Sequence, residues 1–325
     1  KIEKFAPIFT DSFFNLILWM ENRKRLVETN KNLKLPSVTI LIPAYNESPA
    51  IGKTLENILK IDYPKEKLGI LVIDDGSTDK TYEIAKKYER KNLEVVKKRN
   101  GGKANAINLG LKHADSELIV VMDADSLPKK SALKNCIKYF SDDKVAAVTT
   151  RILPTRERFW QKLQHIEGML VSFQRKLHEF PNVINCTPGP FSIYRKDILI
   201  QVGGFDEDNL VEDVEIAWRL LSKGYKIKLA LDSRVDSIYP YSFGMWWKQR
   251  TRWSIGGFQT LFKYMGHIFR KDSHGVGAFL VPTSILGYSF AIVGIGLFIY
   301  LMTSQIANLV LYIYKSLSVG LNPFN

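Results

Sequence analysis

Two aspartates one residue apart, Asp123 and Asp125, close the stretch ELIVVMDAD at 117–125, directly after the apolar run Leu118 to Met122. An unbroken apolar run suits a strand buried on both faces, so this spacing sets two like charges side by side at the end of a buried strand. Buried like charges without a counter-ion are costly. A divalent cation offsets them most simply. Two carboxylates as the only hard oxygen ligands suit Mg2+ or Mn2+ held jointly with a substrate diphosphate. Aspartate is also common where strands enter turns, so the pair alone leaves both readings open. A second acidic pair, Asp74-Asp75, ends the apolar run ILVI at 70–73 in the same way.

Other polar groups sit at comparable places. PAYNE (43–47) follows the run VTILI (38–42), and Asn100-Gly101-Gly102-Lys103 opens a helical stretch. Two glycines, a lysine and a helix N-terminus suit phosphate contact; the plainer reading is a loop with a solvated lysine. No G-x-G-x-x-G follows the first strand and no G-x-x-x-x-G-K-[ST] occurs, so dinucleotide and P-loop chemistry are excluded.

The elements that must position these groups alternate. Strands are expected at 38–42, 70–74, 93–96, 118–122 and 145–150. Helices are expected at about 49–60, after Thr78, at 102–113 and at 131–140. This order implies an α/β fold with a mainly parallel sheet flanked by helices, whose ligands lie beyond the carboxyl ends of the strands.

Net charge is +13 and the pI near 9.5, which favours an anionic partner. The lysines are scattered rather than gathered in a stripe, which argues against nucleic acid. Cys136 and Cys186 are the only cysteines, without CxxC or Cys/His clusters, as suits a reducing compartment. No charge occurs from Gly275 to Tyr314, and 276–301 is long enough to cross a bilayer. Thr303-Ser304-Gln305 is a candidate turn into a second span at about 306–322. Residues 10–30 read as an interface helix or the stub of a span, in which the apolar stretch 12–20 is followed by basic Arg23-Lys24-Arg25, which suits the cytoplasmic side. Two stretches, 157–180 and 241–270, read as amphipathic helices on a membrane interface. In the second, Trp246, Trp247, Phe258, Phe262, Met265 and Phe269 would face lipid, with Lys248, Arg250, Lys263 and Arg270 at headgroups. His165 and His178 read as polar-face residues rather than ligands. The expected division is 1–36 membrane-proximal, 37–240 catalytic, 241–274 interface helix and 275–325 transmembrane.

Taken in order, VTILIPAYNE (38–47), LVIDDGST (71–78), NGGKANAIN (100–108), IVVMDADS (119–126), VGGFD (202–206), VEDVEIAWR (211–219) and QRTRW (249–253) resemble the family-2 glycosyltransferases, which have a GT-A fold. QRTRW is similar to the Q-x-x-R-W signature of membrane-bound polysaccharide synthases for cellulose, chitin, hyaluronan and poly-N-acetylglucosamine. The resemblance implies that Pro43, Tyr45 and Glu47 line a nucleotide pocket and that Asp75 bonds the base. It places Lys103 near the phosphates, Asp123 at the ribose or metal, and Asp125 as principal metal ligand. Asp213 matches the catalytic base. Gln249 and Arg252 would hold the diphosphate and Trp253 would stack on the acceptor sugar, with Glu212 and Cys186 as further acceptor-side candidates. Pro188 and Pro190 in INCTPGPFSIYR (184–195) depart from the small-residue loop of many synthases.

Displacement at an anomeric carbon needs a stabilised diphosphate leaving group and a base for the acceptor hydroxyl. A single base opposite the leaving group implies inversion. Asp213 would stay ionised in the first turn of a helix at 212–221. The expected activity is therefore a membrane-anchored, Mg2+- or Mn2+-dependent transferase. It would move sugar from a UDP-sugar, or GDP-mannose, to a glycan or lipid-linked acceptor at the cytoplasmic face of the cell membrane. Two alternatives remain: a polyprenyl-phosphate sugar synthase, for which Q-x-x-R-W is unexpected, and a nucleotide-sugar-binding scaffold without turnover. One or two spans are too few for this chain alone to secrete a long polymer.

Overall fold

The computed structural model describes residues 11–27, 35–154, 158–270, 272–320 and 322. The expectations for 1–10, 28–34 and the start of the 157–180 helix lie outside the described residues.

A sheet of eight strands, in the order β3-β2-β1-β4-β7-β6-β8-β5, forms the centre. β1 (Val38–Ala44), β2 (Leu68–Asp74), β3 (Leu93–Lys97) and β4 (Leu118–Val121) are mutually parallel, as the apolar runs predict. β7 (Ser192–Arg195) joins antiparallel to both β4 and β6 (Val145–Pro154). β8 (Lys226–Ser237) runs parallel to β6, and short β5 (Ser126–Pro128) pairs antiparallel with β8. β5, β7 and β8 lie outside the strands expected from the sequence. β8 (KIKLALDSRVDS) alternates polar and apolar residues and is only partly buried, unlike the continuous apolar runs of the parallel strands.

Side chains on successive strand residues point to opposite faces, and two cores follow. Leu41, Leu71, Ile73, Ile119 and Val121 meet α4 (Lys103–His113) and α8 (Glu212–Ser222) on one face. Ile40, Ile42, Ile70, Val72 and Val120 meet α2 (Ile51–Ile58), α3 (Thr81–Lys86) and α5 (Ala132–Ile137) on the other. α2 and α3 wind the chain outward from β1 to β3 on one face, and α4 returns it to β4 on the opposite face. The crevice beyond the carboxyl ends of β1 and β4 is thus the switch point where such sheets take ligands. A short helix, α7 (Lys196–Gln201), follows β7.

Three helices leave apolar faces in the open. α1 (Asp11–Asn22) exposes Leu16, Trp19 and Met20. α6 (Phe159–His178) exposes Phe159, Leu163, Ile166, Leu170 and Phe173, and α9 (Phe243–Tyr264) exposes Phe243, Trp247 and Phe262. Two of the cations expected at headgroups have carboxylate partners in the protein. Arg250 pairs with Glu167 at 2.7 Å, and Lys263, itself exposed, pairs with Asp206 at 2.6 Å and Glu215 at 2.7 Å. His165 is buried, with Nδ1 2.8 Å from the Pro154 carbonyl, rather than on a polar face.

After a π-helical turn at Val276–Leu280, α10 (Val281–Ser318) runs without interruption. Together, Val276–Ser318 make a helix of 43 residues, long and apolar enough to cross a membrane. The candidate turn at Thr303–Gln305 is absent. Thr303 Oγ1 donates within the helix to the carbonyls of Ile299 and Tyr300, both at 2.9 Å, so its hydroxyl is satisfied without a break. The helix is rooted in the protein: Val276, Phe279, Leu280 and Val281 belong to the first core.

Candidate active site

Every site residue expected from the sequence lines one cleft of about 650 Å³ at the switch point. Asp75 closes β2 and is buried. Its carboxylate accepts from the N–H groups of Gly101 at 3.0 Å and Gly102 at 2.8 Å, and from Lys98 Nζ at 2.5 Å. Gly102 has φ +89, a left-handed conformation that glycine takes without penalty. Asp75 thus fixes the loop that delivers Lys103, and its oxygens are engaged within the chain. Asp74, the neighbouring acid, points into the protein and is not part of the cleft wall.

Lys103 is central. Its Nζ lies 2.6 Å from Asp123 Oδ1 and 2.9 Å from Glu212 Oε1, joining the end of β4 to the first turn of α8. Gly189 closes over this pair. A Cβ there would collide with Lys103 Nζ and come within 2.8 Å of Asp123 Oδ1, and the Gly189 carbonyl accepts from the Asp123 N–H at 3.1 Å. Asp125 is different: it forms no ion pair with a described residue. Burial first, then the charges of Asp123 and Glu47, push its carboxyl up to about 7. Glu47 is raised for the same reasons, by burial and then by Asp123 and Asp79. Glu47, Asp123 and Asp125 therefore share an excess of negative charge that Lys103 only partly offsets. Among the described residues, no three His, Cys, Asp or Glu side chains are arranged to hold a metal unaided. The donor set fits a hard cation that brings further oxygen ligands with it, held by Asp123 and Asp125.

Across the cleft, Asp213 sits in the first turn of α8. Its main-chain carbonyl accepts from Thr187 N at 3.0 Å and Thr187 Oγ1 at 2.9 Å, and Cys186 Sγ donates to Oδ2 at 3.5 Å. The helix N-terminus was expected to keep this acid well ionised. Burial, and then the adjacent Glu212 charge, instead push it up to about 6. For Glu212 burial acts upward, but the Lys103 ammonium prevails and holds it below the usual range. The two neighbouring acids are thus driven apart: one a fixed anion, the other a carboxylate able to accept a proton near neutrality.

α9 brings QRTRW to the rim. Ser242 caps the helix by accepting from the Met245 N–H, and Glu215, fully buried on α8, ties α9 to α8 through Lys263 and Tyr264 while pairing with Arg219 of its own helix. Gln249 Oε1 is buried without a hydrogen-bond partner among the described residues, and Arg252 Nη1 donates to the Leu210 carbonyl at 3.4 Å. Arg250 stacks 4.5 Å from the Trp253 ring centroid while Glu167 holds its other side, so the Trp253 ring is braced at the mouth of the cleft.

The wall supplied by α6 lies outside the motifs. Gln164, Glu167, Gly168, Val171, Arg175 and His178 line the cleft, as does Tyr239 after β8. A signal is present in the recurrence of polar residues every three or four positions along α6, but its exposed apolar face gives the stronger pattern. His178 packs between Phe14 and Phe279, with ring centroids 6.3 Å and 5.8 Å away.

A switch-point crevice with D-A-D at its floor and a proton-accepting acid on the facing helix has the arrangement of a GT-A-type glycosyltransferase. Residues 39–203, half of the chain, match the family model described as Glycosyl transferase family 2. The chain belongs to that family and is a glycosyltransferase. It is 33% identical over 235 residues to poly-beta-1,6-N-acetyl-D-glucosamine synthase of Staphylococcus aureus (strain COL), covering 71% of this chain and 57% of that protein. It is 30% identical over 266 residues to the probable glycosyltransferase YdaM of Bacillus subtilis (strain 168), covering 79% and 61%. The chain thus spans about three-fifths of these curated relatives. Among solved structures, mannosyltransferase PcManGT from Pyrobaculum calidifontis, in complex with GDP-Man and Mn2+, superposes with TM-score 0.66 and 23% identity over 98% of this chain and 94% of its own.

Proposed function

We propose that this protein is a membrane-anchored, metal-dependent, inverting glycosyltransferase that uses a nucleotide-diphosphate sugar and acts on a hydroxyl of a glycan or glycolipid. The observation that carries the reading is the opposition, within one cleft, of Asp123/Asp125 just beyond the end of β4 to Asp213 on α8. The acceptor hydroxyl attacks the anomeric carbon as its proton passes to the Asp213 carboxylate. The bond from that carbon to the diphosphate breaks, and its electron pair leaves with the phosphate oxygen. Lys103, Gln249 and Arg252 bind the departing diphosphate, and Trp253 orients the acceptor ring. A divalent cation bound by Asp123 and Asp125 supplies further stabilisation of the leaving-group charge. Glu47, Pro43 and Tyr45 shape the nucleotide end, and Asp75 acts through the glycine loop.

UDP-N-acetylglucosamine is the favoured donor, supported by the name of the Staphylococcus relative. GDP-mannose is the second, supported by the GDP-Man complex of the Pyrobaculum mannosyltransferase. The exposed faces of α1, α6 and α9 and the apolar α10 support attachment to a membrane, and the basic Arg23-Lys24-Arg25 supports the cytoplasmic side of the cell membrane. Thermal-shift and hydrolysis assays against UDP- and GDP-sugars, with and without Mn2+, test the reading. One sugar should stabilise and be turned over only with the cation; a panel in which none is consumed by wild type rejects it.

A further inference from the structure

α6 presents two faces at once. Gln164, Glu167, Gly168, Val171 and Arg175 form part of the cleft wall, while Phe159, Leu163, Ile166, Leu170 and Phe173 stand exposed beside them. A wall of the cleft is therefore also a surface suited to lie against lipid.

Arg175 differs from the cations around it. Arg250 has a Glu167 oxygen at 2.7 Å, and Lys176 has a Glu179 oxygen at 2.7 Å. Arg175 makes no hydrogen bond or ion pair with any described residue, and its Nε is shielded from water. Its charge acts on Cys186 and Tyr239, and Cys186 in turn donates to Asp213. The guanidinium thus stands within reach of Cys186, on the side of the cleft that carries the base. A partly buried cation without a counter-charge is unfavourable, and the planar guanidinium fork matches phosphate oxygens. An anion arriving along α6 would come from the bilayer.

We infer that Arg175 binds a phosphate carried by the acceptor, so that the acceptor is a sugar joined to a lipid through phosphate or diphosphate and presented along α6. The inference rests on the transferase reading above and names the acceptor class of that same cleft.

The test uses the full chain in detergent with Mn2+ and UDP. The ligands are citronellyl diphosphate and its uncharged counterpart citronellol, followed by N-acetylglucosamine linked to citronellol through a diphosphate or through a direct glycosidic bond. Wild type should bind citronellyl diphosphate about tenfold or more tightly than citronellol, the effect of a charge-assisted contact. Arg175→Gln should remove that advantage, Arg175→Lys should restore part of it, and UDP affinity should not change. In transfer assays Arg175→Gln should raise KM for the diphosphate-linked acceptor and leave the neutral one unaffected. Equal binding of both lipids by wild type, equal losses on both acceptors, or weakened UDP binding in Arg175→Gln would each overturn the inference. So would a soluble glucuronide that depends on Arg175 as strongly as the lipid diphosphate does. If wild type consumes no nucleotide sugar yet binds citronellyl diphosphate through Arg175, the transferase reading fails while the phosphate site stands.

Discussion

Asp213 and Asp125 carry the same functional group in opposite walls of the cleft, and burial raises both, with different consequences. For Asp213, raised to about 6 by burial and by Glu212, the active form is the carboxylate. At saturating Mn2+, transfer should therefore rise with pH through about 6 and level off above 7. Asp213→Asn should lower the rate ~10²–10⁴-fold and abolish that limb, with nucleotide binding intact; an Asn variant that keeps the wild-type profile would remove the base assignment. For Asp125, raised to about 7 by burial, Asp123 and Glu47, cation binding requires loss of the proton. Apparent Mn2+ affinity in the presence of nucleoside diphosphate should fall as pH drops from 8 to 6, measured by calorimetry. Asp125→Ala should abolish divalent-dependent nucleotide binding, whereas affinity indifferent to EDTA and to this change would make the aspartate pair structural.

At the scale of elements, the cleft depends on how closely α9 approaches the first turn of α8. Gly256 permits it: a Cβ there would collide with Val211 Cγ2 and fall 2.9 Å from Cγ1, beside Glu212 and Asp213. Gly256→Ala should cost about 1–3 kcal/mol through overpacking and impair transfer by displacing QRTRW. Gly244→Ala, in the same helix with nothing within 4 Å, should be close to neutral in both melting temperature and activity. Elements and site are not equally legible in the sequence. Strand-end motifs such as DAD and DDGST are readable because a parallel strand buried on both faces leaves an apolar run, and the chemistry must follow it. β7 and β8 carry shorter or half-exposed patterns, so the part of the sheet beyond β4 stays hidden. The polar stripe of α6 is masked by its apolar face, and with it Arg175. Asp213 is found from its motif, but its raised proton affinity arises first from burial and then from Glu212, and the burial is set by segments far apart in the chain.

At the scale of the whole molecule, the change of composition at Gly275 suggests a boundary between enzyme and anchor that the packing does not respect. Val276, Leu280 and Val281 are buried, Phe279 stacks on Phe14 at 5.1 Å, and Tyr288 stacks on Phe258 at 4.0 Å. Each buried apolar side chain is worth about 1.5–3 kcal/mol as an upper figure, against a typical total stability of about 5–15 kcal/mol. A chain cut after Ser289 should keep a cooperative melting transition in mild detergent, while one cut after Gly275 should lose it; equal transitions would show that the root is dispensable. Severing the tether where its hydrophobicity begins would thus release no free enzyme. On the membrane-anchored reading proposed above, a protease that clipped there would destroy the catalyst in the act of detaching it, so detachment and loss of activity would be a single event.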